Sequence, residues 1–426
     1  MLEPGNGHTR ASSTSPILSF KLRSPLDKTE MSLTNTKLKK GMTLLGAAAT
    51  AAYFGLGALA KATLPNELYA HESWKGGSPE AELAQFMEDA IRVKSAQARV
   101  FENEERRTAN GGQLRRLFHA KSHGCLTGRL TFTQEAERRR ADPEGRTLQG
   151  LFAPGAEYRV IARFSNGVGW SQPDSEKDVR GLAIKVVGVR DPRTKQEINV
   201  DFLMTNNPNP FGRDQAEFVD FMDASIDGGL KLVGFLLTHP TVAVRIIEGT
   251  KPIESFASTR FWSGHAYLLG PKDAMKFNVL PLNPNKAAAD RENSDSRKDP
   301  NCLKKGLKAD AAGGDLKYAF NVQLEKDEDS TSIENALKEW GEEESPSIRV
   351  ATLAFDRQDV DSPASRANWC EGLRFTPGHF HSSHRPLGNM GRGRVFAYRA
   401  SQLSRLGESA ADPVITTADL DRLGAH

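Results

Sequence analysis

Between residues 158 and 204 three β-rich runs follow one another: Tyr158–Ser165 (YRVIARFS), Leu182–Val189 (LAIKVVGV) and Ile198–Met204 (INVDFLM). Each is dominated by β-branched and other apolar residues and is bounded by Gly, Pro, Asn or Asp, the pattern of strands joined by turns. Further along, Met275–Leu280 (MKFNVL), Tyr318–Leu324 (YAFNVQL) and Ile348–Phe355 (IRVATLAF) repeat it. Strands at this spacing predict an antiparallel sheet or barrel rather than β-α-β units. Helical patterns interrupt them at Asp214–Ser225, Leu230–Gly249 and Ser332–Trp340, which makes the class α+β. Upstream, Ser78 to about Arg106 places Leu83, Phe86, Met87, Ile91 and Val100 near one helical stripe, predicting an amphipathic helix outside the main core. Leu282–Asp315, rich in Pro, Asn and Lys, reads as a long surface loop, and Gly393–Leu406 (GRVFAYRASQLSRL) has helical spacing.

The 426 residues include 57 Lys and Arg against 54 Asp and Glu, a formal net charge of +3. So even a balance gives no electrostatic footprint for nucleic acid. With 38% hydrophobic and 26% charged residues the chain has the composition of a globular protein with a sizeable core. Cys125, Cys302 and Cys370 lie far apart without a CxxC, excluding a zinc ribbon or a dithiol redox motif. One bridge with one free thiol, or three thiols, both fit; Cys302 with Cys370 is one pairing open to an exported protein.

The N-terminal stretch Met1–Asn35 is rich in Ser, Thr, Pro and Lys and reads as a disordered leader. Lys37, Lys39 and Lys40 then precede Gly41–Ala60 (GMTLLGAAATAAYFGLGALA), uncharged and about the roughly 20 residues that span a bilayer. Residues 36–62 are therefore read as a signal peptide or a membrane anchor, with a buried Ala-rich helix as the bland alternative. Lysines on the leader side favour export of the remainder of the chain, and Ala58-Leu59-Ala60 has the small-x-small form of a cleavage site. The expected location is periplasmic, soluble or anchored to the inner membrane.

No Gly-rich phosphate loop, nucleophile elbow or HExxH occurs. What remains is a scatter of polar residues on β-rich segments: Arg116–Lys121 (RLFHAK), Arg163–Ser165 (RFS), Val179–Lys185 (VRGLAIK), Asn206–Asp214 (NNPNPFGRD) with Phe218, and Gly393–Tyr398 (GRVFAY) with Arg405. Arg394 and Tyr398 are four apart, hence on one helical face, where a guanidinium favours a phenolate. In this order, over about two-thirds of the chain, these pieces resemble the haem-dependent catalase superfamily, and within it the short exported catalase-related peroxidases of bacteria. The resemblance implies a catalase-like eight-stranded antiparallel β-barrel surrounded by helices and binding haem b, placed here at 78–412 with 413–426 as a C-terminal tail.

Carried over residue by residue, the resemblance implies His119 as the distal acid–base residue, Asn206 as its partner and Ser165 as the hydrogen-bond partner of the ring. Tyr398 would be the iron ligand, Arg394 would hold its charge, Phe218 would stack near the haem, and Arg116, Arg163 and Arg405 would meet the propionates. The implied activity is reduction of hydrogen peroxide or organic hydroperoxides with an unidentified electron donor. Rearrangement of a lipid hydroperoxide, or haem binding without turnover, are the alternatives. Phe118 and Ser122 are bulkier than the family pattern and are expected to reshape the distal pocket. His379, His381 and His384 (HFHSSH) read as a solvated loop rather than a metal site.

Overall fold

The computed structural model describes residues 60, 63–284, 299–361, 370–407 and 412–424. Nine antiparallel strands lie within them: β1 (Ser122–Phe132), β2 (Glu157–Asn166), β3 (Arg180–Arg190), β4 (Glu197–Thr205), β5 (Phe261–Trp262), β6 (Tyr267–Leu269), β7 (Asp273–Pro281), β8 (Lys317–Leu324) and β9 (Ile348–Phe355). Neighbours pair in the order β5-β4-β3-β2-β1-β9-β8-β7, and β5 also pairs with β7 through Phe261 and Val279. The ring of eight is thereby closed, which removes every free edge but that of β6, appended to β7. The expected eight-stranded antiparallel barrel is present.

Alternation fills it. Val160, Ala162 and Phe164 on β2, Leu182, Ile184 and Val186 on β3, Val200, Phe202 and Met204 on β4, and Met275, Phe277 and Val279 on β7 join one buried cluster. Residues i and i+2 share a face, so Ile161, Arg163 and Ser165 between them face outward. The pivot strand β1 was not expected, because Gly124 and Gly128 and its polar residues (SHGCLTGRLTF) dilute any strand signal. A Cβ on Gly128 would stand 2.3 Å from the Ala354 carbonyl oxygen, so the glycine permits the close approach of β1 to β9.

Helices clothe the outside: α1 (Pro79–Glu102), α2 (Gln215–Asp227), α3 (Gly229–Thr238), α4 (Pro240–Gly249), α5 (Cys302–Gly313), α6 (Gly388–Leu406) and α7 (Thr417–Gly424). Phe86, Met87, Val93 and Val100 of α1 pack with Val219 and Met222 of α2 and Val395, Phe396 and Leu403 of α6 in a second core. The fully buried guanidinium of Arg392 on α6 ties this layer together, bonding Glu72 and Glu82.

Three expectations change. Leu230–Gly249 is two helices, bent by 114° where His239 meets Pro240, whose ring cannot continue the helix. Ser332–Trp340 is not helical: Ser332 turns to ψ 135°, and the Ala336 N–H donates to the Arg213 carbonyl instead of bonding within a helix. Ile333, Ala336 and Trp340 are buried from this irregular segment, so their spacing imitated a helix. The loop expected at Leu282–Asp315 contains α5, whose Leu303, Leu307 and Ala311 form a buried i, i+4, i+8 stripe among lysines. In the stretch read as a tail, Leu420 of α7 is fully buried beside Ile161 of β2. Apart from Ala60, the Gly41–Ala60 run lies outside the described residues, as do residues 1–35. Among the described residues no single helix is long and apolar enough to cross a membrane.

Candidate active site

Strand register assembles the first half of the site on the outer wall of the barrel. Ser165 of β2 stands opposite Gly181 of β3, which stands opposite Thr205 of β4, and Asn206 follows at once. His119 lies over this row with φ +60°, a left-handed backbone that a residue with a Cβ seldom adopts. Its N–H donates to the Gly167 carbonyl at 2.7 Å, which helps hold that geometry. Nδ1 is 2.9 Å from the Asn166 carbonyl oxygen and 3.1 Å from Ser165 Oγ. A carbonyl only accepts, so Nδ1 carries the proton and Nε2 presents a lone pair. A Cβ on Gly181 would stand 2.5 Å from His119 Nδ1, so this glycine makes room for the ring. Burial first, then the charges of Arg163, Arg394 and Arg116, lower the imidazole from 6.5 to about 4.

Four arginines gather around one carboxylate. Arg116 donates to Glu371 Oε2 at 2.6 Å and Arg163 to Oε1 at 3.2 Å; Arg405 donates to the Glu371 carbonyl at 2.9 Å, and Arg115 stands 3.6 Å from the carboxylate. Burial would raise the Glu371 carboxyl, but Arg163 and Arg116 outweigh it and hold it at about 2. Burial and the repulsion of Arg116 lower Arg163 to about 10 and Arg405 to about 9. Arg163 Nε has no hydrogen-bond partner. The cluster has more cations than anions, a donor set suited to further carboxylates.

Glu371 was not foreseen. It is held there by its neighbour Cys370, bridged to Cys125 of β1 with Cα atoms 5.8 Å apart. The pairing considered from sequence, Cys302 with Cys370, is thereby corrected: Cys125 sits opposite Arg163 in the sheet, next to the segment that carries Cys370, and Cys302 is a free thiol on α5.

The second half comes from α6. Arg394 Nη2 donates to the Tyr398 hydroxyl at 3.1 Å, one helical turn apart as the spacing required. Tyr398 packs beside Ala183, Ile161 and Phe375 on the outer wall of the same strands that carry Arg163 and Ser165. Burial works against the Arg394 charge, and Tyr398 and Tyr267 outweigh it. His265, also unforeseen, stacks on Tyr267 and accepts from its hydroxyl at 3.2 Å, while burial and Arg394 keep it well below the ordinary histidine range. His119 and Arg394 are each half-buried, and the Arg394 charge reaches the His119 imidazole.

Phe218 of α2 meets Phe118 edge-on at 5.9 Å, so the bulky residue before His119 packs against an aromatic neighbour. Asn206 is fixed by its side chain: Oδ1 accepts from the Arg180 N–H at 2.7 Å and Nδ2 donates to the Gly249 carbonyl at 3.1 Å, leaving one Nδ2 hydrogen for another partner. Ser122 opens β1 with its hydroxyl 3.9 Å from Cys370 Sγ. The histidine run is not a solvated loop. His384 is buried, stacks on Phe152 and accepts from the Leu151 N–H, and His379 bonds Asp201 and Asp412. Among the described residues no group of His, Cys, Asp and Glu has metal-binding geometry.

No family model matches the chain. A catalase-related peroxidase of Mycolicibacterium paratuberculosis (strain ATCC BAA-968 / K-10) is 31% identical over 226 residues, 51% of this chain and 67% of that protein. Among solved structures, a fungal catalase aligns with a TM-score of 0.54 at 21% identity, over 69% of this chain and 60% of its own. Catalase A from Saccharomyces cerevisiae aligns with a TM-score of 0.53 at 18% identity, over 69% and 61%. This chain therefore spans about three-fifths of those catalases' length. Closed barrel and helical layer define a protein of the catalase fold class. The chain belongs to the catalase superfamily of peroxide-acting oxidoreductases.

Proposed function

We propose that this chain is a haem b peroxidase, reducing hydrogen peroxide or organic hydroperoxides, in which His119 would act as acid and base and Tyr398 would ligate the iron. One observation carries the reading: His119, in a left-handed backbone with Nδ1 tied down, lies near enough to the Arg394–Tyr398 pair for the Arg394 charge to act on its imidazole. The donor set fits haem. Arg116, Arg163 and Arg405 hold a surplus of positive charge for two propionates, Phe218 offers a ring, and Tyr398 beside Arg394 offers a phenolate oxygen to iron. Bound haem would supply the iron centre that takes up the oxidising equivalents of the peroxide.

His119 Nε2 accepts the proton of the peroxide O–H and returns it to the oxygen that departs. Ser165 and the Asn166 carbonyl keep the tautomer in which Nε2 is the base. The remaining Nδ2 hydrogen of Asn206 orients the peroxide oxygen. Arg394 donates a hydrogen bond to the Tyr398 oxygen that would ligate the iron. The Cys125–Cys370 bridge supports a place in an oxidising compartment, as the Gly41–Ala60 run does for export to the periplasm. Peroxide consumption by the hemin-reconstituted full chain, with an added electron donor, tests the reading. The expected result is turnover that His119→Ala lowers by roughly 10²-fold or more. Rates equal to free hemin in both proteins would leave only haem binding.

A further inference from the structure

Eight large hydrophobic side chains are exposed among the described residues, and five fall on α3 and α4: Leu230 (90%), Val233 (52%), Leu237 (78%), Val244 (51%) and Ile247 (68%). Leu232, Phe235 and Ile246 of the same helices turn the other way, onto Phe221, Val242 and Leu337. The helix pair thus has two apolar faces, one packed on the domain and one with no protein of the described residues against it. Such a concentration marks an interaction surface rather than chance exposure. Its few charges are balanced: Lys231 pairs with Asp227 at 2.8 Å, and Arg245 with Glu248 and Glu339 at 2.9 Å.

The pair is long and apolar enough together to be tested as a membrane element, but it is bent by 114°. Each ten-residue helix is about 15 Å long, half of the roughly 30 Å hydrocarbon core. A bent apolar pair of this length can lie in an interface instead. The chain outside the described residues says which interface. Its apolar run Gly41–Ala60 ends at Ala60, which is buried in the core cluster that Val219, Met222 and Ile226 of α2 form with α1 and α6. After Asp227, α2 passes through Gly228 directly into α3. The apolar leader thus joins the domain at the helix that leads into the uncovered face.

We infer that α3 and α4 seat the domain on a phospholipid surface, with Leu230, Val233, Leu237, Val244 and Ile247 entering the boundary between headgroups and acyl chains. This holds whatever chemistry the active site performs. The test uses the full chain with Cys302→Ser and an environment-sensitive fluorophore placed through Leu237→Cys, or through Asp421→Cys on α7 in a second preparation. Both are mixed with phosphatidylethanolamine–phosphatidylglycerol vesicles containing doxyl-labelled lipid. The expected result is a blue shift and loss of more than half the emission at position 237, none at position 421, and several-fold weaker quenching when Leu230→Glu and Val233→Glu are added. Three results would each overturn the inference. Emission at position 237 stays water-like on vesicle-bound protein, or is blue-shifted before vesicles are added, as when the leader covers the face. The chain sediments as a dimer that Leu230→Glu dissociates.

Discussion

At His119 the backbone and two neighbours decide where Nε2 points. Adding a Cβ at Gly181 would place an atom 2.5 Å from Nδ1 and 2.9 Å from Ser165 Oγ, so Gly181→Ala must push the ring aside. A displacement of about 1 Å costs about 10²-fold in turnover. That loss, with unfolding transitions and hemin content close to wild type, is the expected outcome in parallel activity and melting assays. The lowered imidazole sets the acid limit. His119 stays neutral until about pH 4, so the acid limb of kcat/KM should fall near 4. A midpoint near 6.5 would show that the general base is another group. Stability has the same sign. The unfolded chain binds protons that folded His119 refuses between 6.5 and 4, and that Glu371 refuses between 4.5 and 2, so stability falls as pH falls through both windows. The order of motifs singled out His119, Ser165, Arg163, Arg394 and Tyr398; in the fold His119 meets Ser165, Arg394 meets Tyr398, and the charges of Arg163 and Arg394 act on His119. That order did not pick out Glu371 or His265, because a single glutamate after a cysteine, or a histidine before a short strand, has no local pattern. Their meaning arises only from neighbours 208 residues away in Arg163 and 129 away in Arg394.

Among the elements, α6 has to be held to within a fraction of its width for Arg394 and Tyr398 to meet the barrel wall. Arg392 does this from its opposite side, fully buried between Glu72 and Glu82. Arg392→Met leaves Glu82 buried without its guanidinium and Glu72 with Arg385 alone, and the expected loss is about 3–5 kcal/mol by chemical denaturation. Cutting an exposed pair such as Arg129–Glu157 should cost no more than about 1 kcal/mol. The bridge between β1 and the Glu371 segment closes a separation of 245 residues. Cys125→Ser with Cys370→Ser should cost about 2–4 kcal/mol and weaken hemin binding, measured by denaturation and by hemin titration. Elements with strong periodicity, β2 to β4 and β7 to β9, were legible in sequence. β1 was not, since its glycines serve close strand approach, and Ser332–Trp340 misled because tertiary bonds, not helix bonds, satisfy its backbone.

Over the whole molecule, the barrel is a packed scaffold and the candidate site lies on its outside. Its interior is filled by alternating apolar side chains, and the polar residues between them face the helical layer. Composition could not reveal this, because the buried arginines of the site count as ordinary charge in a near-neutral total. The central claim is that this outer wall and α6 together hold one haem through Tyr398. Titrating the purified full chain with hemin, for wild type and Tyr398→Phe, measures it most directly. One hemin per chain is expected, with a Soret band and the charge-transfer absorption of a ferric phenolate, and Tyr398→Phe should abolish the latter while Arg116, Arg163 and Arg405 retain hemin. No stoichiometric uptake by wild type, or an identical spectrum in Tyr398→Phe, would contradict it.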